Sequence, residues 1–381
     1  MNIAMYFPTF PSMGGTERVM SIIANQFVAD GHDIFIYGSS PQLEKPYFEL
    51  NSLIKVSVVE GVSKKEKVSS LTKALVENHI EVLINNDSFR KSVKMCGEAC
   101  RQVQVKFITI HHGSVLLSES MLKTFIDGQK NMASRLKQFF WIVYWKYKQW
   151  DYKMYHNNNL AECDAYVLLS QQYKILLGNP PKTFVINNPL SFPYSGKMSM
   201  PAKKNQLLMV GRLDNNHKRV TLALKIWGNV LDKYPDWEFV IVGDGPHRKE
   251  IEEYIQYNQI SRVLLTGAQS PLSYLQDAKI FIMTSSTEGW ALTLNEAKQN
   301  YCVPIVFDTF PALKDLIIEG EDGFVVTEGD IQEYTRKLGK LMTDNHMYEL
   351  MAQKAYEDCS KYEISFLIKK WYDVINYVKA N

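Results

Sequence analysis

The chain has 381 residues, of which 46% are hydrophobic and 22% charged, and it carries a net charge of +2 at pH 7. That length is more than one ordinary core accommodates, so two domains are expected. The near-balance of charge argues against a dedicated nucleic-acid binder and leaves any basic patch a local affair.

The opening, Met1-Asn-Ile-Ala-Met-Tyr-Phe7, lacks a basic leader region and runs directly into Pro8, which reads as a first strand rather than a signal peptide. A loop containing Gly14-Gly15 leads into Glu17–Ala29, where Val19, Ile22, Ile23 and Phe27 recur at helical spacing. Gly31-His32 ends that helix, and Asp33–Gly38 is the next strand. Strand, glycine loop, helix and strand make a βαβ unit. The glycines do not form a G-x-G-x-x-G pattern, and no acidic residue stands where that pattern would read a ribose. Gly14-Gly15 alone therefore suits a turn as well as a phosphate loop. The alternation continues with strands at Ile54–Val59, Val82–Asn85, Val105–Ile110, Asp164–Leu169 and Thr183–Asn187, and helices at Lys64–Asn78 and Ser88–Arg101. The strand at Val105 runs into His111-His112-Gly113-Ser114. A histidine there lies on the ligand-binding edge of an open parallel sheet, although a surface or capping role fits a single histidine equally. Leu190–Lys204, rich in Pro, Ser and Lys, reads as an interdomain linker. A second α/β series follows, with strands at Gln206–Val210, Trp237–Val242, Arg262–Leu265, Ile280–Met283, Val303–Phe307 and Gly323–Val326. Beyond Asp330 the chain is helical, with a last helix over Ser365–Val378.

One stretch breaks the alternation. Roughly fifty residues separate the strand at Val105 from Asp164, far more than an ordinary connection. Within it, Arg135–Tyr155 holds five basic residues against one acid and is crowded with aromatics. As a helix it has one face of Leu136, Phe139, Phe140, Val143, Tyr147, Trp150 and Met154, expected to pack on the domain. A second face carries Trp141, Tyr144, Trp145, Lys148, Tyr152 and Tyr155. That composition suits a helix on an anionic membrane surface; burial on two sides or a dimer contact are the alternatives. No apolar run approaches the ~20 residues of a spanning helix. The five cysteines (Cys96, Cys100, Cys163, Cys302, Cys359) form no paired or metal-ligand motif, and they read as small core residues of a reduced, cytosolic protein.

The chemistry centres on residues 285–296, Ser-Ser-Thr-Glu-Gly-Trp-Ala-Leu-Thr-Leu-Asn-Glu. Short polar residues and a glycine between a parallel strand and a helix N-terminus make an anion site. Glu288 and Glu296 beside it need another purpose, and hydroxyl recognition supplies one. A ligand with both phosphate and many hydroxyls is a sugar nucleotide. Val210-Gly211-Arg212 with Lys218 offers a bidentate and a point cation at the mouth of the next helix, suited to a diphosphate. Such cations stabilise the charge that grows on a leaving phosphate and stand where a divalent metal otherwise would. Neither a metal nor any other cofactor is expected, because no Asp-x-Asp motif is present. Gly243-Asp244-Gly245-Pro246 is a tight strand-to-helix turn that admits either a structural role or close backbone approach to a ligand.

Gly14-Gly15-Thr16-Glu17-Arg18-Val19, Gly211-Arg212 with Lys218, Gly243-Asp244-Gly245-Pro246 and Glu288-x7-Glu296 occur in order and spacing that resemble the family 4 retaining glycosyltransferases of the GT-B fold, of the type that builds bacterial surface or capsular polysaccharide. The resemblance covers nearly the whole chain, and its most specific part is the Glu-x7-Glu segment. It implies two Rossmann-like domains facing a central cleft: 1–188, binding the acceptor and carrying a helical insertion at about 115–160, and 189–362, binding the nucleotide sugar. A terminal helix, 363–381, crosses back to the first domain. It implies that Arg212 and Lys218 bind the donor diphosphate, with backbone N–H groups of Gly15, Leu292 and Thr293; that Gly14 and Gly243 border the donor; that Glu288 holds sugar hydroxyls and Glu296 the ribose; and that His111, or else His112, lies beside the transferred sugar. The chain departs from the family at Phe310-Pro311-Ala312, where Gly-Gly is usual, at Lys314-Asp315 in place of the usual acidic position, and at Trp290, where Phe is common.

The expectation is a retaining, metal-independent hexosyltransferase using a nucleotide donor of the UDP type and a glycan or lipid-linked glycan acceptor. It would be cytoplasmic and peripheral on the plasma membrane through about 135–155, with no nucleic-acid partner. A nucleotide-sugar 2-epimerase of the same fold would instead release an isomerised nucleotide sugar without an acceptor, and a non-catalytic binding protein would do neither.

Overall fold

The computed structural model describes residues 1–115, 134–196 and 200–381, with the side chains of the long helix described from residue 141 onward. The chain divides into two compact units. Among the described residues, the first comprises everything up to Ser191 together with Tyr362–Asn381, and the second comprises Phe192–Lys361.

The first unit runs β1 (Asn2–Phe7), α1 (Gly15–Ala29), β2 (Asp33–Gly38), β3 (Lys55–Val58), α2 (Lys64–Glu77), β4 (Val82–Asn85), α3 (Arg90–Val103), β5 (Lys106–His111), α4 (Ser134–Glu162), β6 (Ala165–Leu168), α5 (Gln171–Leu176) and β7 (Thr183–Val185). Its sheet is parallel, in the order β3-β2-β1-β4-β5-β6-β7, with Ile3 opposite both Ile34 and Val82. The central strands are buried on both faces, which is why they read as continuous apolar runs rather than as alternating patterns. Edge strand β3 is exposed throughout.

The second unit runs β8 (Lys204–Val210), α6 (Val220–Gly228), β9 (Glu238–Val242), α7 (Arg248–Tyr257), β10 (Val263–Gly267), α8 (Leu272–Asp277), β11 (Ala278–Met283), α9 (Leu292–Gln299), β12 (Val303–Phe307), α10 (Leu313–Leu316), β13 (Phe324–Val326), α11 (Ile331–Thr343) and α12 (Asn345–Asp358). Its sheet is also parallel, β10-β9-β8-β11-β12-β13. Trp227, Phe239, Tyr334 and Tyr348 fill the core against it. Both sheets therefore reverse their strand order beside the first strand, between β1 and β4 and between β8 and β11. The crevices outside the carboxyl ends of those strands are where open α/β sheets bind ligands.

The last helix, α13 (Ile364–Ala380), belongs to the first unit. It buries Leu367, Ile368, Trp371, Val374, Ile375 and Val378, a single helical stripe. Its outer residues tie it down: the Tyr372 hydroxyl donates to Asp30 at 2.6 Å, and Lys379 meets Glu81 at 2.6 Å. The described residues of the stretch read as a linker belong to the second unit from Phe192 onward. Lys204 already stands in β8 and pairs with Asp277, and Phe192 receives a hydrogen bond from Gln299. All five cysteines are free and buried.

The long helix corrects one expectation. Val143, Tyr147, Trp150 and Met154, assigned above to the packed face, are 37–59% exposed. On the opposite face Tyr152 and Tyr155 turn inward, where their hydroxyls find half-buried carbonyls, Tyr152 donating to Ser114 at 2.8 Å and Tyr155 to Ser88, while Tyr144 of the same face stays 47% exposed. His156, fully buried, stacks edge-on against both tyrosine rings. Apolar spacing alone could not orient this helix, since both faces are aromatic; the polar tips decided it. Leu136, Phe139 and Phe140 lie outside the described side chains, as does the start of the insertion after residue 115. No described helix is long and apolar enough to cross a membrane.

Candidate active site

The second unit's reversal point is built from two loops. One follows β8 (Gly211 to Arg219), and the other follows β11 (Thr284 to Ala291). They are sewn together by the backbone. The Ser286 amide donates to the His217 carbonyl at 2.8 Å, and the Thr284 hydroxyl donates to the Lys218 carbonyl at 2.8 Å. Arg219 holds the seam from the other side. Its backbone is left-handed (φ 52°), and its guanidinium donates to the carbonyls of Thr284 (2.5 Å) and Ser285 (3.0 Å) and pairs with Glu328 at 2.8 Å. Thr309 adds a hydrogen bond to the Ser285 carbonyl at 2.8 Å. That contact comes from the loop where the sequence departs from the Gly-Gly usual in the family it resembles.

The seam brings Lys218 and Glu288 together. The ammonium Nζ lies 2.5 Å from Glu288 Oε1, with side chains only 18% and 13% exposed. A charge-assisted bond in such a shielded place is stronger than a surface pair, yet both groups still open to solvent and can be re-partnered by a ligand. Arg212 sits on the same loop but outside the pair. Its side chain is 70% exposed and meets Asp214 at 3.0 Å. Partial burial alone would raise the Asp214 carboxyl, but the guanidinium and the Asn216 amide hold it below the usual range.

Helix α9 starts behind the pair. Ala291 offers no side-chain cap, so the first-turn N–H groups of Leu292 and Thr293 have no intrahelical acceptor. Glu296 lies one turn further and is 3% exposed. Lys298, on the same helix, is wholly buried. Its ammonium meets Asp322 and Asp358, each at 2.8 Å, and the Leu316 carbonyl at 2.6 Å. Burial opposes its charge, but the carboxylates outweigh that and raise its pKa. Lys298 pins α9, and with it Glu296, to the body of the unit.

Gly243 abuts this loop. A Cβ there would fall 1.9 Å from the Gly211 carbonyl oxygen, and its φ is +147°. One at Gly245 would lie 2.6–2.8 Å from the Leu213 backbone. The turn after β9 thus supports the Gly211 loop from beneath, and this close packing by itself requires the glycines.

Three of the sequence's candidates lie in the first unit. Gly14 caps α1 in extended conformation, and Gly15 opens that helix. The loop before them is held by Glu17, 3% exposed, which accepts from the Ser12 amide (2.8 Å) and hydroxyl (2.6 Å). His111 ends β5, 3% exposed. Its Nε2 lies 3.0 Å from the Ser114 carbonyl, which can only accept, so Nε2 carries the proton and Nδ1 accepts from the Ser88 hydroxyl at 2.8 Å. Burial lowers its pKa to about 4, so the ring is neutral. His112 is likewise lowered, to about 3, and its enclosed Nε2 has no hydrogen-bond partner among the described residues. Arg219, Glu17 and Lys298 were not singled out from sequence. Arg219 stands beside Lys218 at a helix start, the one local signal. Lys298 and its two carboxylates are brought together only by folding.

Residues 194–358 match the family Glycosyl transferases group 1. The chain is 29% identical over 376 residues to the amylovoran biosynthesis glycosyltransferase AmsD of Erwinia amylovora, covering 95% of this chain and 96% of that protein. It is 26% identical over 395 residues to the GalNAc-alpha-(1->4)-GalNAc-alpha-(1->3)-diNAcBac-PP-undecaprenol alpha-1,4-N-acetyl-D-galactosaminyltransferase of Campylobacter jejuni, covering 100% of this chain and 99% of that one. The crystal structure of Anabaena HepE in complex with UDP and glucose is similar at a TM-score of 0.72 and 14% identity, covering 99% of both chains. This chain has the two-domain α/β architecture of the GT-B fold, and the group 1 segment together with the full-length relatives supports a glycosyltransferase.

Proposed function

We propose that the chain is a retaining glycosyltransferase of family 4 that moves a hexose-type sugar from a UDP-type donor to a hydroxyl of a glycan or lipid-linked glycan in surface polysaccharide synthesis. The observation that carries this reading is the Lys218–Glu288 pair at 2.5 Å, flanked by Arg212 and by the open N-terminus of α9. A diphosphate takes Lys218 and Arg212, while sugar hydroxyls take Glu288 and ribose hydroxyls Glu296. The names of the Erwinia and Campylobacter proteins support the pathway and acceptor classes, and UDP and glucose bound to HepE support the donor class.

With Glu288 holding the sugar, the acceptor hydroxyl attacks the anomeric carbon from the face of the departing diphosphate. The bond from that carbon to the diphosphate oxygen breaks, the new glycosidic bond forms, and the hydroxyl proton passes to a phosphate oxygen. Lys218 and Arg212 stabilise the charge growing on the leaving group, so the reaction runs without a divalent metal. The exposed face of α4 bears Val143, Tyr147, Trp150 and Met154 beside Lys146 and Lys153, a composition suited to an anionic membrane. This face, rather than the one chosen from sequence, seats the enzyme on the cytoplasmic leaflet.

The reading is tested by incubating the protein with UDP-hexoses, with and without a lipid-linked glycan. Acceptor-dependent product of retained configuration, resistant to chelator, is expected. An isomerised nucleotide sugar formed without acceptor would establish the 2-epimerase in its place.

A further inference from the structure

The first sheet reverses its order between β1 and β4, as the second does between β8 and β11. A cavity of about 630 Å³ opens there, within the size range of small-ligand sites. Tyr6 and Pro8 line it from the end of β1, Asp87 and Phe89 from the end of β4. The remaining walls are the first turns of α2 and α3, and they bring four lysines: Lys64, Lys67, Lys91 and Lys94. Of the four, only Lys64 pairs with a carboxylate among the described residues, Glu98 at 2.5 Å. Lys67, Lys91 and Lys94 pair with no carboxylate among the described residues, although Lys67 and Lys94 are half-buried. Asp87 is the one acid among the described lining residues. Like charges gathered in a concave, half-shielded place repel one another unless a bound anion neutralises them. Helix α3 adds to the field, since its N-cap residue Phe89 provides no side-chain acceptor for the first-turn amides. Phe89 and Val62 stand 73% and 99% exposed at the rim, giving an apolar lip to a cationic floor.

We propose that this cavity is a second anion site that takes a phosphate-type dianion or diphosphate carried by the acceptor. Three uncompensated ammoniums exceed what a single carboxylate would neutralise, whereas a diphosphate matches them. The assignment to an acceptor rests on the transferase reading above; the anion site itself does not.

The probe is inorganic diphosphate, titrated into the full chain by calorimetry with UDP saturating the donor loops. A second arm uses vesicles with and without a polyprenyl diphosphate. The variant replaces Lys67, Lys91 and Lys94 together by Gln, and a control replaces Lys225, Lys233 and Lys249, exposed lysines of the second unit. The expected result is a loss of about tenfold or more in diphosphate affinity in the first variant only, as for several exposed charge contacts removed at once. The wild type should weaken with added salt more than the variant does. If soluble diphosphate binds in this lysine-dependent way, a phosphate group suffices. If only polyprenyl diphosphate vesicles show the lysine dependence, the site reads a lipid-borne group. Equal affinity in wild type and variant in both arms, or an equal loss in the control, overturns the site. UDP binding should survive in the Lys67/Lys91/Lys94 variant and fall in Lys218→Ala. If Lys218→Ala leaves UDP binding intact, the donor reading fails while the lysine dependence of diphosphate binding is still read separately.

Discussion

Lys218 and Glu288 stand 70 residues apart and meet at 2.5 Å, so each loop presents one half of a site. Arg212 is 70% exposed, and Lys218, 18% exposed, meets Glu288 at the seam of two loops, so neither is part of the apolar core. Lys218→Ala should therefore lower kcat by ~100-fold or more, the scale for removing a preorganised transition-state donor, while the protein stays folded in circular dichroism. A variant with near-normal turnover would remove the residue from the reaction. Gly243→Ala acts differently, because its methyl would meet the Gly211 carbonyl at 1.9 Å in a backbone conformation that L side chains avoid. It should cost at least ~2 kcal/mol of unfolding free energy in urea titrations. Lys298→Met leaves Asp322 buried without its cation and should cost ~3–5 kcal/mol. The buried histidines make a pH prediction. His111, His112 and His156 have folded pKa values near 4, 3 and 2, below their ordinary 6.5. The unfolded chain takes up their protons first, so stability falls as pH drops below about 6.5 and each ring stops contributing only below its folded value. Each contributes ~1.4 kcal/mol per pH unit in that window, and His156→Phe should flatten the slope between about pH 6 and 5 by that amount. At this scale Arg212, Lys218, Glu288 and Glu296 could be picked out as candidates, because two cations and two acids around a strand-to-helix loop are visible in one dimension, and the fold brings Lys218 and Glu288 into contact. Arg219 and Lys298 were not, because their partners lie 65 and 24 residues away.

The long helix shows how far an element can be read alone. Its existence followed from composition, and its orientation did not. Trp150 and Tyr147 are 59% and 55% exposed, while Tyr152 and His156 face inward. Replacing Tyr147 and Trp150 by Ser and Lys146 and Lys153 by Gln should release the protein from anionic liposomes in a flotation assay. Retained binding would assign the face to another partner. Helix α9 is the converse case. It is eight residues long, too short to be stable by itself, yet it carries Glu296 and the Leu292 and Thr293 amides. Packing and the Lys298 cluster hold it, so the proposed donor site depends on a buried ion network that no local propensity announces.

At the scale of the whole molecule, two sheets of the same reversing order each raise a crevice outside their first strand. In the second unit that crevice holds the Lys218–Glu288 seam; in the first it holds four lysines. The strands themselves were readable to within a few residues, and Val82–Asn85 and Val303–Phe307 were identical to the reading. Central parallel strands are apolar on both faces, and glycine turns and helix starts punctuate them. The sequence by itself determined the α/β alternation, the two-part division and the residue types gathered at the candidate site, because these rest on local pattern and on neighbours in the chain. Tertiary structure alone decided which face of the long helix is turned to solvent, which carbonyls Arg219 grips, where the Lys298 charge is neutralised, and that Lys67, Lys91 and Lys94 surround one cavity. Each of these depends on partners distant in sequence, brought within hydrogen-bonding reach only when the sheets form.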